Sequence, residues 1–168
     1  MKTLKSLIVE SRTARMPWNG NPTIGWWQDA DVLRMYHGTN LDNVESFAKE
    51  GLNRPDPRTG LYSLAFEPFT ARAFAIMGGE AHFIASKSKA LTVPENKRAV
   101  IVFDIPLVWI NQHKDENLGG NDPASKKKLL DKNVYDEWKE SDQQYYQLCE
   151  LRVKTPVPPK YMSGYMLK

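Results

Sequence analysis

A single cysteine, Cys149, stands in the 168 residues. No disulfide can close within the chain, and a reducing compartment or one indifferent to redox is expected. Long apolar runs are missing too: nothing approaches the roughly 20 consecutive apolar residues that cross a bilayer, so a chain working away from membranes is expected. An excess of one charge is also lacking. Lys and Arg number 23 against 20 Asp and Glu, leaving +3, too weak a field to imply nucleic-acid binding by charge alone. The lysines at 126–128 read as a solvated face. Of three histidines, His82 and His113 lie in polar stretches without ligand spacing, so no metal site is expected. No internal repeat is visible.

What is present suits one loop-rich globular domain. Hydrophobic residues make up 41% of the chain, beside eleven prolines, ten glycines and 11% aromatics in no biased tract, enough for a single core. Leu4, Leu7 and Ile8 form a short helical stripe within residues 2–10, too short to be stable alone. Residues 16–25, with two prolines and Asn19-Gly20-Asn21, read as an irregular linker. The expected organisation is therefore an arm and linker at 1–25 and a folded domain at 26–168.

Within that domain, strands are expected at 32–37, 61–66, 98–105, 144–153 and 163–167. The clearest is the run Ala99-Val100-Ile101-Val102-Phe103, which Pro106 ends. Asp42 reads as the N-cap of a helix carrying Val44, Phe47 and Ala48 and stopped by Gly51. Pro68 opens a second helix, with Phe69, Ala73, Phe74 and Met77, that ends at Gly78-Gly79. Residues 111–142 read as a surface excursion with a helical piece at 125–132. Short helices between strands make the fold class α+β, with a small split antiparallel sheet as its core.

Three blocks carry chemistry: Tyr36-His37-Gly38-Thr39 at a strand end, Gly60-Leu61-Tyr62 at a strand start, and Glu150 ahead of Val157-Pro158-Pro159. Singly, each reads more readily as structure than as catalysis. In this order they resemble the His-Tyr-Glu class of ADP-ribosyltransferases, the diphtheria-toxin and poly(ADP-ribose) polymerase type. The first block is similar to that class's first NAD-binding motif. The second, followed by Ala71, Ala73, Phe74 and Ala75, is similar to its Gly-x-Tyr strand and small-residue helix. Glu150-Leu151-Arg152-Val153 and Val157-Pro158-Pro159-Lys160-Tyr161-Met162 resemble the last catalytic strand and closing segment of small bacterial and phage transferases.

The resemblance implies NAD as co-substrate and His37, Tyr62 and Glu150 as catalytic residues. His37, Gly38, Thr39, Tyr62 and Phe74 are implied to bind NAD. The chemistry suits these residue types. Breaking the nicotinamide–ribose bond builds positive charge on the sugar, which a facing carboxylate, Glu150, stabilises. His37 is suited to hydrogen-bonding the adenosine-side ribose while the bare backbone of Gly38 meets the nicotinamide amide. Tyr62 and Phe74 are flat walls for the leaving nicotinamide, each worth on the order of 1 kcal/mol beyond buried area. Cys149, neighbouring Glu150 on an alternating strand, points the other way and reads as a core thiol. Trp109 reads as structural.

Two departures from the family bear on specificity. Leu148 stands two residues before Glu150, where arginine-modifying transferases carry Glu or Gln, so arginine is not the favoured acceptor. Phe74 replaces a second Tyr and removes a hydroxyl. Trp138, Tyr145 and Tyr146, with Leu148, occupy the place of acceptor recognition, against the alternative that the aromatics only pack a loop. The implied acceptor is a macromolecule, a host protein foremost, with nucleic acid or a small molecule as alternatives. NAD hydrolysis and a packaged, non-catalytic binding protein are further ones. Finally, the first eleven residues resemble the capsid-targeting segment of internal head proteins in T-even-like phages, with Ile8-Val9-Glu10 fitting the cleavage rule. That implies an enzyme packaged in the virion head and injected into the host cytoplasm, against the plain alternative of a frayed amphipathic arm.

Overall fold

The computed structural model describes residues 1–19, 26–27, 31–57, 59–75, 93–116, 130–131 and 150–168. Its frame is one sheet of seven strands: β1 (Arg15–Met16), β2 (Trp26–Trp27), β3 (Val32–Asn40), β4 (Tyr62–Ala65), β5 (Arg98–Pro106), β6 (Glu150–Val153) and β7 (Met162–Leu167). The strand order is β1-β7-β5-β3-β4-β6, with β2 paired to β3 off that path. Every pairing is antiparallel except β1 with β7, which is parallel. The α+β class holds, in a mixed rather than wholly antiparallel sheet.

β5 sits centrally because both its faces are apolar. Ala99, Val100, Ile101, Val102 and Phe103 are all fully buried, which a β-branched and aromatic run between two partner strands favours. Alternation splits the sheet's side chains into two layers. On one face Leu33, Met35, Leu64, Ile101, Phe103, Ile105, Leu151 and Val153 form the main core. It is closed by Val44 and Ala48 of α2 (Val44–Glu50), while Ile110 joins it from a later helix (Leu107–His113). On the other face Tyr36, Ala65, Val100, Val102 and Met166 pack with Ala71 of α3 (Pro68–Ala75). Each large side chain removed from water here contributes about 1.5–3 kcal/mol.

The helix after β3 begins differently from the expectation. A 3-10 turn, Leu41–Asn43, intervenes, and the Asn40 side chain caps it by accepting from the Asp42 amide. Asp42 is therefore not the N-cap of α2; its carboxylate pairs with Lys97 at 2.7 Å instead. Gly51 ends α2 as expected, at φ 73°, a left-handed position that its lack of a side chain permits. A Cβ there would also lie 2.0 Å from the Val157 carbonyl oxygen. The Leu107–His113 helix, α4 by chain order after α1 (Leu4–Arg12), follows Pro106 directly and takes up the start of the expected excursion. Trp109 packs edge-on to Tyr161 at 5.8 Å and tilts over His113 at 4.6 Å, a structural role.

The fold takes in residues expected to be linker. Met16 belongs to β1, the Tyr165 amide donates to the Ala14 carbonyl, and Trp18 meets Phe69 of α3 edge-on at 5.4 Å. Arg12 reaches across to the Ala48 carbonyl. Gly164 makes this possible, since a Cβ there would stand 2.5 Å from the Ala14 carbonyl oxygen. Ahead of Arg12 the hold loosens: Leu4, Leu7 and Ile8 are exposed, and only Val9 of α1 packs against the core.

Among the described residues no helix is long and apolar enough to cross a membrane. The expected helix end at Gly78-Gly79, His82, the lysines at 126–128 and Cys149 lie outside the described residues. So do 125–129 and 132 of the expected helical piece and 144–149 of the expected strand. Leu130 is described and is buried in the main core.

Candidate active site

Three adjacent strands, β3, β4 and β6, bring the three chemistry-bearing blocks together. β3 is joined to β5 by nine register pairs, from Val32↔Pro106 to Asn40↔Arg98. Its other edge is shared. Trp26 and Trp27 of β2 pair with Arg34 and Leu33, and β4 then pairs through Tyr36↔Ala65 alone. Among the described residues, no strand pairing joins His37–Asn40 to Tyr62–Leu64, which leaves a notch in the ladder there. One bond spans it. His37 Nδ1 lies 2.9 Å from the Ser63 carbonyl oxygen, a side chain standing where a ladder bond would otherwise be.

That bond decides the state of the imidazole. A carbonyl oxygen only accepts, so Nδ1 carries the hydrogen and donates. Burial pushes the His37 pKa below 6.5, with the Ser63 contact pulling it more weakly upward. The ring is neutral at pH 7, and Nε2 is left as an acceptor. Phe47 of α2 packs on the ring at 5.4 Å and fixes its tilt.

Tyr62 opens β4 opposite Val153, is half-buried, and packs against the main core. It therefore shares the face of His37, whose partner Ile101 belongs to the same core. Glu150 lies on the other face. It pairs with Ala65, which pairs with Tyr36, and paired residues point the same way. With neighbouring strands roughly 4.8 Å apart, its Cα is about 10 Å from that of Tyr36. The three blocks thus lie on neighbouring strands, with the Glu150 carboxylate on the face opposite the imidazole and the phenol.

Glu150 is held by a residue not singled out from the sequence. Arg152 Nε donates to Oε1 at 2.8 Å, and Nη2 lies 2.6 Å from the same oxygen. Strand alternation is the signal that was available, since residues two apart share a face. Glu67 was also missed. It is 1% exposed, and among the described residues neither carboxylate oxygen has a partner. Desolvation raises its pKa to about 7. An acid before Pro68 at a helix start reads as an ordinary cap, and its main-chain carbonyl does accept from Ala71.

The remaining assigned residues divide. Gly38 is required by packing: a Cβ there would stand 1.7 Å from the Ala71 carbonyl oxygen, so α3 seats directly on the His-Gly-Thr strand. The expected bare approach for a ligand at its Cα is filled on that side. Thr39 is buried, and its hydroxyl accepts from Asn43, closing the turn after β3. Phe74 falls within α3, but its side chain is outside the described residues, as are Trp138, Tyr145, Tyr146 and Leu148. No group of three or more His, Cys, Asp or Glu among the described residues is arranged to hold a metal ion. The chain matches no protein-family model and no curated protein sequence.

Proposed function

We propose that the chain is a mono-ADP-ribosyltransferase that cleaves NAD at the nicotinamide–ribose bond and transfers ADP-ribose to a macromolecular acceptor. The observation that carries the reading is the notch bridged by His37 and Ser63. Its neutral imidazole presents Nε2 to accept a ribose hydroxyl, and Tyr62, three residues before the Ala65 pivot, projects on the face of the imidazole. In the reaction the C–N bond breaks with its electron pair going to nicotinamide, which leaves neutral. Charge grows on the ribose, the Glu150 carboxylate offsets it, and the acceptor nucleophile bonds the anomeric carbon and sheds its proton. His37 and Tyr62 hold and orient the dinucleotide, which lowers the barrier by fixing the sugar before it reacts.

The acceptor in this reading is a host protein, modified in the cytoplasm of a phage-infected cell after delivery from the virion head. Exposure of Leu4, Leu7 and Ile8, with Val9 the one hydrophobic of α1 that packs against the core, suits a removable arm. Peptides beginning at Ser11 are expected in purified virions; their absence contradicts delivery in this form. A second reading, a binding protein that keeps the fold without the chemistry, is favoured by the placement of Glu150 on the face opposite His37 and Tyr62.

Incubation with NAD labelled in the adenosine half and a host lysate separates the two. Label is expected on protein with release of nicotinamide, and Glu150→Gln is expected to slow both on the order of 100- to 1,000-fold. Label on nucleic acid redirects the acceptor. Wild-type protein that releases no nicotinamide, or Glu150→Gln that releases it at the wild-type rate, contradicts the catalytic reading.

A further inference from the structure

We infer that Arg152 is a positioning residue for the reaction, one that acts on substrate through Glu150. The inference rests on the transferase reading above. Both guanidinium contacts converge on Oε1 of Glu150, from Nε at 2.8 Å and from Nη2 at 2.6 Å. A guanidinium commonly grips a carboxylate through both oxygens; here the Arg152 side-chain hydrogen bond goes to Oε1 alone, and the carboxylate is pinned at that oxygen. A ribose hydroxyl donating to Oε2 completes the set without displacing the arginine.

Burial makes the pairing more than a surface ion pair. The Glu150 side chain is 13% exposed and that of Arg152 30%, so solvent screening is reduced for the carboxylate in particular. Leu151 and Val153 are fully buried on the opposite face. They anchor β6 against the main core and fix the direction in which Glu150 and Arg152 project. The strand therefore supplies the aim, and Arg152 supplies the rotamer. A free glutamate samples several rotamers, and holding one in advance removes that cost from the reactive step. Among the described residues the arginine side chain makes its hydrogen bond and ion pair to this carboxylate, so its loss acts through orientation of that group.

Steady-state nicotinamide release is measured for wild type, Glu150→Gln, Arg152→Gln and Arg152→Lys, each with its melting temperature. Wild-type turnover that is lost in Glu150→Gln upholds the underlying reading, and Arg152→Gln then decides the inference. The expected result is a fall in kcat on the order of 100-fold with KM for NAD within about twofold, as for a misplaced catalytic group. Partial recovery is expected in Arg152→Lys and on adding millimolar guanidinium to Arg152→Gln. The inference is overturned if kcat is unchanged in Arg152→Gln, or if kcat falls only together with the melting temperature and guanidinium restores nothing. Wild-type protein without turnover overturns the transferase reading and this assignment together.

Discussion

The two edges of β3 are built to different ends. Toward β5 the strand is zipped along its whole length by nine register pairs, with fully buried side chains on both faces. Toward β4 it holds one pair and one side-chain bridge, and the groups proposed for catalysis lie on that side, whereas the Arg34–Asp104 ion pair lies on the zipped side. The same strand thus serves as a rigid backing and as one lip of a notch. Rigidity on one edge is what allows the other to stay open: a strand fixed by nine pairs holds His37 in place without needing a second full partner. Stability is then expected to concentrate in β5 and β7, with the groups proposed for catalysis on the open edge of β3 and on β4 and β6, so that the two are separable by substitution.

Phe103→Ala sharpens the contrast most. It empties a fully buried aromatic site on the zipped edge and is expected to cost about 3–5 kcal/mol of stability, read from a denaturant titration. A loss below 1 kcal/mol breaks the comparison. Gly38→Ala comes next, because its Cβ has no room beneath the Ala71 carbonyl. A cost of about 1–3 kcal/mol is expected as α3 is pushed off the strand, with fewer α3 amides protected from hydrogen exchange. Unchanged protection shows that α3 does not seat on Gly38.

The smallest expected effect is one of pH. Glu67 has a folded pKa of about 7 against an ordinary 4.5, so the fold favours its neutral form. The stability tied to that form is full below pH 4.5 and lost as pH rises through 7. Glu67→Gln, which stays neutral, is expected to remove this loss and to be more stable than wild type above pH 7. Equal pH dependence of the melting temperature in the two proteins contradicts the assignment. His37 acts in the opposite sense: its pKa is depressed, so its contribution is present above pH 6.5 and lost as pH falls from there through the depressed value.

The zipped edge was readable from residues alone because an apolar run like Ala99-Val100-Ile101-Val102-Phe103 has few other uses. The start of β4 at Tyr62 was readable too, from glycine and alternation, whereas β3 runs past the expected end at His37 to Asn40 because β5 pairs with it throughout. Three things were not. β1 forms because Gly164 admits the Ala14 carbonyl, and neither partner carries a local signal for a two-residue parallel pairing. The face on which Glu150 projects depends on strand register, which a one-residue slip inverts. Burial of Glu67 depends on where α3 settles, and an acid before Pro68 looks the same whether capped, exposed or enclosed. Sequence patterns report what each segment prefers, whereas these features are set by how segments meet.

The notch itself is tested most directly by backbone amide NMR during titration with NAD. Shifts are expected to concentrate at residues 37–40, 61–64 and 150–152, with β5 and β7 nearly unmoved. Shifts confined to other parts of the chain, or none at millimolar NAD, contradict the account.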